Sequence, residues 1–140
     1  MELEEILRTS DYVSINVSLA DKTYHMIGAE HLAMMKPTAY LFNCGRGAIV
    51  DEAALVTALK EQSIAGAGLD TFEEEPILPG HPLLELDNVI VTPHSAWLTQ
   101  ESMWEMQWGA ANQVALVLRG EPPTHCINYA AVQAVRRSEG

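Results

Sequence analysis

Apolar positions recur in two rhythms along this chain. Leu3, Ile6 and Leu7 share one face of a helical turn, which Thr9-Ser10-Asp11 closes. The apolar run Tyr12 to Val17 that follows predicts a strand. Gly28 to Met35 is rich in Ala, Glu, Leu and Met, all good helix formers. Lys36-Pro37 stops that helix, because proline disfavours a helical backbone in the residue before it. Ala39 to Asn43 predicts a second strand, entering the turn Gly45-Arg46-Gly47. Asp51 is an N-cap candidate for an amphipathic helix of about three turns carrying Leu55, Ala58 and Leu59. Ile64 to Leu69 is a strand of small residues, and Asn88 to Thr92 is one rich in β-branched residues. Thr99 can cap a last long helix to about Arg119, which Gly120-Glu121-Pro122-Pro123 terminates.

Strands that alternate with helices, and that are apolar without interruption, point to parallel strands buried on both faces. The fold class expected is therefore α/β: a partial doubly wound parallel sheet of about four strands with flanking helices. Residues 1–120 would form this unit and residues 121–140 a C-terminal tail. The sequence holds no internal repeat and no low-complexity stretch. The acidic run Glu73-Glu74-Glu75 and the loop to Pro82 are its one long irregular segment, and long loops in compact domains are often functional.

Composition narrows the partners. With 48% hydrophobic and 19% charged residues, the chain has the material for a core and reads as a globular protein, not a disordered one. Its apolar runs fall short of the ~20 residues that a membrane helix needs. A formal charge of −11 would repel phosphate backbones and anionic lipid surfaces, which argues against nucleic acid and membrane as partners. Two cysteines, Cys44 and Cys126, make no disulfide framework, and the N-terminus is acidic, unlike a signal peptide; a cytoplasmic location is expected. No metal site is expected, since His25, His31, His81 and His125 show no ligand spacing with Cys44 or Cys126. Met34, Met35, Met103 and Met106 sit at helical positions and read as core, and Trp104 and Trp108, four apart on one helix face, as packed against another surface.

In open α/β sheets, ligands bind beyond the carboxyl ends of the strands. Here those ends carry the unusual polar residues. Arg46 follows the second strand, Asp70 and Glu75 the third, and His94 the fourth, so parallel pairing would bring to one rim residues up to 48 positions apart. A histidine can move a proton near neutral pH, and a carboxylate on its other ring nitrogen, for which Glu75 is the candidate, fixes its tautomer. An arginine such as Arg46 offers a planar fork for a substrate carboxylate and polarises a neighbouring carbonyl. Each has a blander reading: Asp70 as a turn residue, Glu75 as part of a solvated loop.

Three blocks carry a resemblance: Asn43-Cys44-Gly45-Arg46-Gly47-Ala48-Ile49-Val50-Asp51-Glu52, Gly66-Ala67-Gly68-Leu69-Asp70-Thr71-Phe72-Glu73-Glu74-Glu75-Pro76, and Asn88-Val89-Ile90-Val91-Thr92-Pro93-His94-Ser95-Ala96-Trp97. In this order and at these intervals they resemble the signature blocks of the D-isomer-specific 2-hydroxyacid dehydrogenases, over about Leu3 to Asn128. The resemblance implies a Rossmann-like domain and hydride transfer between NAD or NADP and a 2-keto or D-2-hydroxy acid substrate. By carry-over, Arg46 would bind the substrate carboxylate and carbonyl, His94 would give the proton in reduction, and Glu75 would be its partner. Asp70 would lie near the nicotinamide, with Cys44, Gly45, Arg46, His94, Ser95, Ala96 and Trp97 lining the same pocket. The Ala96-Trp97 pair is similar both to the glycerate and hydroxypyruvate reductase branch and to the corepressors called C-terminal binding proteins, so a non-enzymatic interaction or regulatory module is the alternative reading.

The chain also departs from the family pattern. Asn16-Val17-Ser18-Leu19-Ala20 stands where the family has a His followed by Pro-Leu-Thr, and none of the nine glycines forms a Gly-x-Gly-x-x-Gly pyrophosphate turn. The expectation is a C-terminal portion of such a dehydrogenase, without its substrate domain and glycine-turn half. Such a portion would be marginally stable and at most a weak cofactor binder. The edge of its first strand would invite a homo-oligomer or association with the missing half of the domain.

Overall fold

The computed structural model describes residues 2–129, 131 and 133. The chain divides into two compact units, Met1–Ala96 and Trp97–Gly140. The first holds a parallel sheet of four strands in the order β1-β2-β3-β4: β1 Tyr12–Ile15, β2 Tyr40–Asn43, β3 Gly66–Leu69 and β4 Val89–Val91. Helices α1 (Leu3–Thr9), α2 (Ala29–Met34) and α3 (Glu52–Lys60) connect or precede them. The α/β expectation is met, with each strand one or two residues shorter at one or both ends than its apolar run.

Local chemistry sets the helix ends. The Asp51 side chain accepts a hydrogen bond from the Ala54 backbone N–H at 3.0 Å, the N-cap contact expected of it. Helix α2 ends at Met34, ahead of Lys36-Pro37. Three short 3₁₀ turns, Asp21–Thr23, Gly47–Ile49 and Pro82–Glu85, lie in segments read as loop.

The core lies on one face of the sheet. Strand register aligns Val13, Leu41, Ala67 and Val89 in one inward row and Ile15, Asn43, Leu69 and Val91 in the next. Leu7, Leu32, Leu55 and Leu59 from the three helices pack against these rows and are at most 1% exposed. The alternate row runs Ser14, Phe42, Gly68 and Ile90, with Tyr12 and Tyr40 beside it. Tyr12 is 71% exposed and Ile90 73%. Burial on both faces is thus corrected: β1 alternates exposed and buried positions, because the helices of this unit all lie against the other face. On the exposed face the rings of Tyr12 and Tyr40 stack with centroids 6.0 Å apart, and the Phe42 ring lies over Gly68, where a Cβ would come within 2.7 Å of it.

The second unit contains α4 (Gln100–Leu118), closed at its start by a capping box between Thr99 and Ser102. Helix α4, read from the sequence as the end of the segment 1–120, thus belongs to this unit and has no buried side chain. The Trp104 and Trp108 rings stack on each other at 5.8 Å and are more than half exposed, so their own unit does not supply the surface they were expected to pack against. Met106 is likewise 54% exposed, not core. Gln113 ties the returning chain to the helix by accepting from the Thr124 N–H at 2.9 Å. Among the described residues, no helix is long and apolar enough to cross a membrane.

One close backbone approach controls how the strand ends meet. A Cβ on Gly47 would fall 1.8 Å from the Phe72 carbonyl carbon and 2.4 Å from the Glu73 nitrogen, so only glycine lets the turn after β2 lie on the loop after β3. Gly47→Ala is expected to destabilise the fold by about 3 kcal/mol in urea unfolding, because backbone, unlike a flexible side chain, cannot step aside. A loss below about 1 kcal/mol would show that the two loops do not close on each other in solution.

Candidate active site

Parallel pairing aligns Ile15, Asn43, Leu69 and Val91 at the carboxyl rim, and the residues just beyond them are held by short-range contacts. Asn43 is 1% exposed; its amide donates to the Arg46 carbonyl at 3.0 Å and its side-chain oxygen accepts from the Gly45 N–H at 3.1 Å. These two bonds fold residues 43–46 into a tight turn. Arg46 leaves that turn exposed at the rim, its guanidinium donating to the Gly45 carbonyl at 2.8 Å. Cys44 is exposed and Gly45 half-buried beside it.

Asp70 is the buried anchor of the rim, 3% exposed. Its Oδ1 accepts from the Thr92 hydroxyl at 2.5 Å and the Ser95 N–H at 2.8 Å, and its Oδ2 from the Ala96 N–H at 3.0 Å. The His94 N–H donates to the Asp70 carbonyl at 2.9 Å. Burial pushes the Asp70 carboxyl up, but the hydrogen bonds from Thr92, Ala96 and Ser95 and the nearby His94 outweigh it and hold the group below the ordinary aspartate range. With its carboxylate engaged inside its own unit, Asp70 acts on the rim by fixing the loop Thr92–Ala96.

That loop places His94 with φ 52°, a left-handed backbone uncommon for a residue other than glycine. The imidazole Nδ1 stands 2.8 Å from Glu75 Oε2. Glu75 is positioned in turn by the Phe72 N–H, which donates to its Oε1 at 3.0 Å, and it precedes a cis peptide bond to Pro76. Burial raises the Glu75 carboxyl, and the bonds from His94 and Phe72, with the charges of His94 and Arg46, bring it below the ordinary glutamate range. Phe72, Pro76, Ile77 and Pro93 complete, with Glu75 and His94, the wall of an apolar cleft of about 320 Å³.

The structure therefore brings Glu75 and His94 into hydrogen-bond contact, with Arg46 close enough to act on Glu75 electrostatically, and sets Ser95 and Ala96 beside them through Asp70. Trp97 lies in the second unit, 47% exposed. Asn43, Phe72 and Thr92 are site residues that the sequence alone does not single out. Asn43 at a strand end, followed two residues later by glycine, is the one whose turn chemistry could have been read there. A separate grouping also forms: ligand atoms of His25, Asp51 and Glu73 all lie within 4.8 Å of one another, a set that spacing between His and Cys does not reach.

Because its lowered carboxyl favours the ionised form, Asp70 contributes stability above about pH 4 that fades as acid protonates it. Asp70→Asn is expected to cost about 1–3 kcal/mol at pH 7 by urea unfolding, and the deficit should shrink at pH 3.5. A pH-independent deficit would overturn the role given to the ionised carboxylate.

The family model described as D-isomer specific 2-hydroxyacid dehydrogenase, NAD binding domain, matches residues 1–96. Glyoxylate reductase of Korarchaeum cryptofilum is 49% identical over 131 residues, covering 94% of this chain and 40% of that protein. Glyoxylate/hydroxypyruvate reductase B of Enterobacter agglomerans is 44% identical over 127 residues, 91% of this chain and 39% of that protein. Among solved structures, the TT0316 protein of Thermus thermophilus superposes with a TM-score of 0.87 at 38% identity, covering 91% of this chain and 40% of that one. The NAD-complexed D-isomer specific 2-hydroxyacid dehydrogenase of Lactobacillus delbrueckii ssp. bulgaricus gives 0.84 at 34% identity, over 91% of this chain and 43% of that one. The chain thus spans about 40% of the length of the curated relatives it matches. It belongs to the NAD binding domain family of the D-isomer specific 2-hydroxyacid dehydrogenases.

Proposed function

We propose that this chain supplies the acid–base pair and the carboxylate-binding arginine of an NAD(P)-dependent reductase of short 2-keto acids, glyoxylate or hydroxypyruvate in kind, which also oxidises the corresponding D-2-hydroxy acids. The observation that carries this reading is the 2.8 Å contact between His94 Nδ1 and Glu75 Oε2 at the carboxyl rim of a parallel sheet. The names of the matched reductases support the substrate class.

In this reading Glu75 fixes the imidazole through Nδ1, so proton delivery to the substrate oxygen falls to Nε2. Positive charge that forms on the ring is stabilised by the ionised Glu75. Arg46 presents its fork to the substrate carboxylate and orients the carbonyl toward His94. Asp70 is a positioning residue: it holds Thr92, Ser95 and Ala96, and so the loop that aims His94. The cofactor, when bound, supplies the hydride. The residues present suit its nicotinamide end: small Gly45, exposed Cys44 and half-buried Ser95 leave the rim uncrowded beside the apolar cleft. The module alternative, akin to the corepressors, has no need of the His94–Glu75 contact, which favours the enzyme.

In the intact native protein, His94→Ala is expected to lower kcat for glyoxylate reduction by about 10²–10⁴, followed as NADH oxidation. Arg46→Lys should raise KM for the keto acid, since an ammonium cannot reproduce the two-pronged grip. Near-normal rates in both variants would overturn the assignment. The 140-residue chain alone, which has no glycine-rich pyrophosphate turn, is expected to bind NADH more weakly than low micromolar in a fluorescence titration, and tight binding would contradict that.

A further inference from the structure

A second cluster of ligating side chains lies apart from the His94 rim, where three separate segments meet. The His25 N–H donates to the Ala48 carbonyl at 2.8 Å, and Ile27 bridges to Val50, which laces the chain before α2 against the segment leading into α3. Glu73, on the loop after β3, is locked to the start of α3 reciprocally. Its Oε1 accepts from the Glu52 N–H at 2.8 Å, and its own N–H donates to Glu52 Oε2 at 3.1 Å. Backbone bonding thus converges His25, Asp51 and Glu73, with ligand atoms all within 4.8 Å of one another.

The geometry inside the cluster is not that of an ordinary ion pair. His25 Nε2 lies 3.0 Å from Glu73 Oε1, yet the nitrogen is shielded from solvent and makes no hydrogen bond. A buried ring nitrogen without a hydrogen bond is costly. Two donors that close together but not bonded to each other have the spacing of neighbouring ligands on one cation: with metal–ligand distances of about 2.0–2.2 Å, adjacent ligands stand about 3–3.5 Å apart. Asp51 spends one oxygen on capping α3, through the Ala54 N–H, and has a second to offer. The cleft over the cluster, about 460 Å³, is open to water for the remaining coordination position, and Glu52 and His81, themselves paired at 2.9 Å, flank it. Among the described residues, neither Lys nor Arg lines it.

We propose that His25 Nε2, Asp51 and Glu73 bind a divalent transition-metal cation, zinc by its donor set of one imidazole and two carboxylates with water completing the shell. Such an ion would clip together the segment before α2, the start of α3 and the loop after β3. Glu73 is two residues from Glu75, so the clip would also steady the loop that carries the partner of His94. The site is independent of the reductase reading: it uses none of Arg46, Glu75 or His94.

The test is isothermal titration of zinc chloride into the chelator-stripped 140-residue chain, with thermal unfolding measured in parallel. One zinc per chain is expected, with a rise in Tm on binding. His25→Ala and Glu73→Gln should each weaken binding by at least about tenfold, whereas His31→Ala and Cys126→Ser should leave it within about twofold. Glu73→Gln keeps the shape and the oxygen that accepts from Glu52, so its loss of affinity reads the ligand and not the fold. No saturable zinc binding, or binding unchanged in Glu73→Gln and His25→Ala, would overturn the proposal.

Discussion

A buried carboxylate governs the rim of this sheet. Asp70 sits at the end of β3 almost without solvent, where an ionised carboxyl lacking partners would be strongly unfavourable. The loop after β4 supplies those partners, the hydroxyl of Thr92 and the backbone N–H groups of Ser95 and Ala96, and the depressed carboxyl shows that they outweigh burial. The requirement runs in both directions. Asp70 cannot be buried charged unless residues 92–96 curl over it, and those residues leave their N–H groups without partners unless Asp70 is there. The left-handed backbone of His94 follows from that curl, and so does the approach of its ring to Glu75. The geometry of the His94–Glu75 pair therefore rests on a contact that neither of those side chains makes.

Much of this was legible in the sequence because it is local. Pro37 and Asp51 mark helix ends through backbone chemistry that acts within four residues, and the structure uses both as expected. The rim positions of Arg46, Asp70, Glu75 and His94 follow from strand ends and parallel order, which apolar runs report well. The exposure of Tyr12 and Ile90 could not be read this way. A strand of apolar residues looks the same whether helices cover one face or two, and only the placement of α1, α2 and α3 on a single face decides it. The pair formed by His81 and Glu52 was out of reach for a related reason, since the two are 29 positions apart and neither carries a local signal.

The run Glu73-Glu74-Glu75 shows how a blander reading can hold for one residue and fail for its neighbours. Three consecutive carboxylates in a chain of charge −11 look like a solvated loop, and all three are exposed, but only Glu74 is without a described contact. Glu73 and Glu75, two apart in a bend, engage different partners: Glu73 accepts from the Glu52 N–H and lies beside His25, and Glu75 accepts from the Phe72 N–H and meets His94. Both stay partly solvated, yet each also gains a backbone donor, and Glu75 is bonded to an imidazole besides. The loop is pinned by these contacts, and Gly47 closes against it, where a Cβ would strike the Phe72 carbonyl. A segment without helix or strand thus holds its carboxylates in place by three non-local contacts, each of which needs the other two segments of chain already folded. For that reason its order belongs to the tertiary structure, and no reading of residues 70–76 alone could have supplied it.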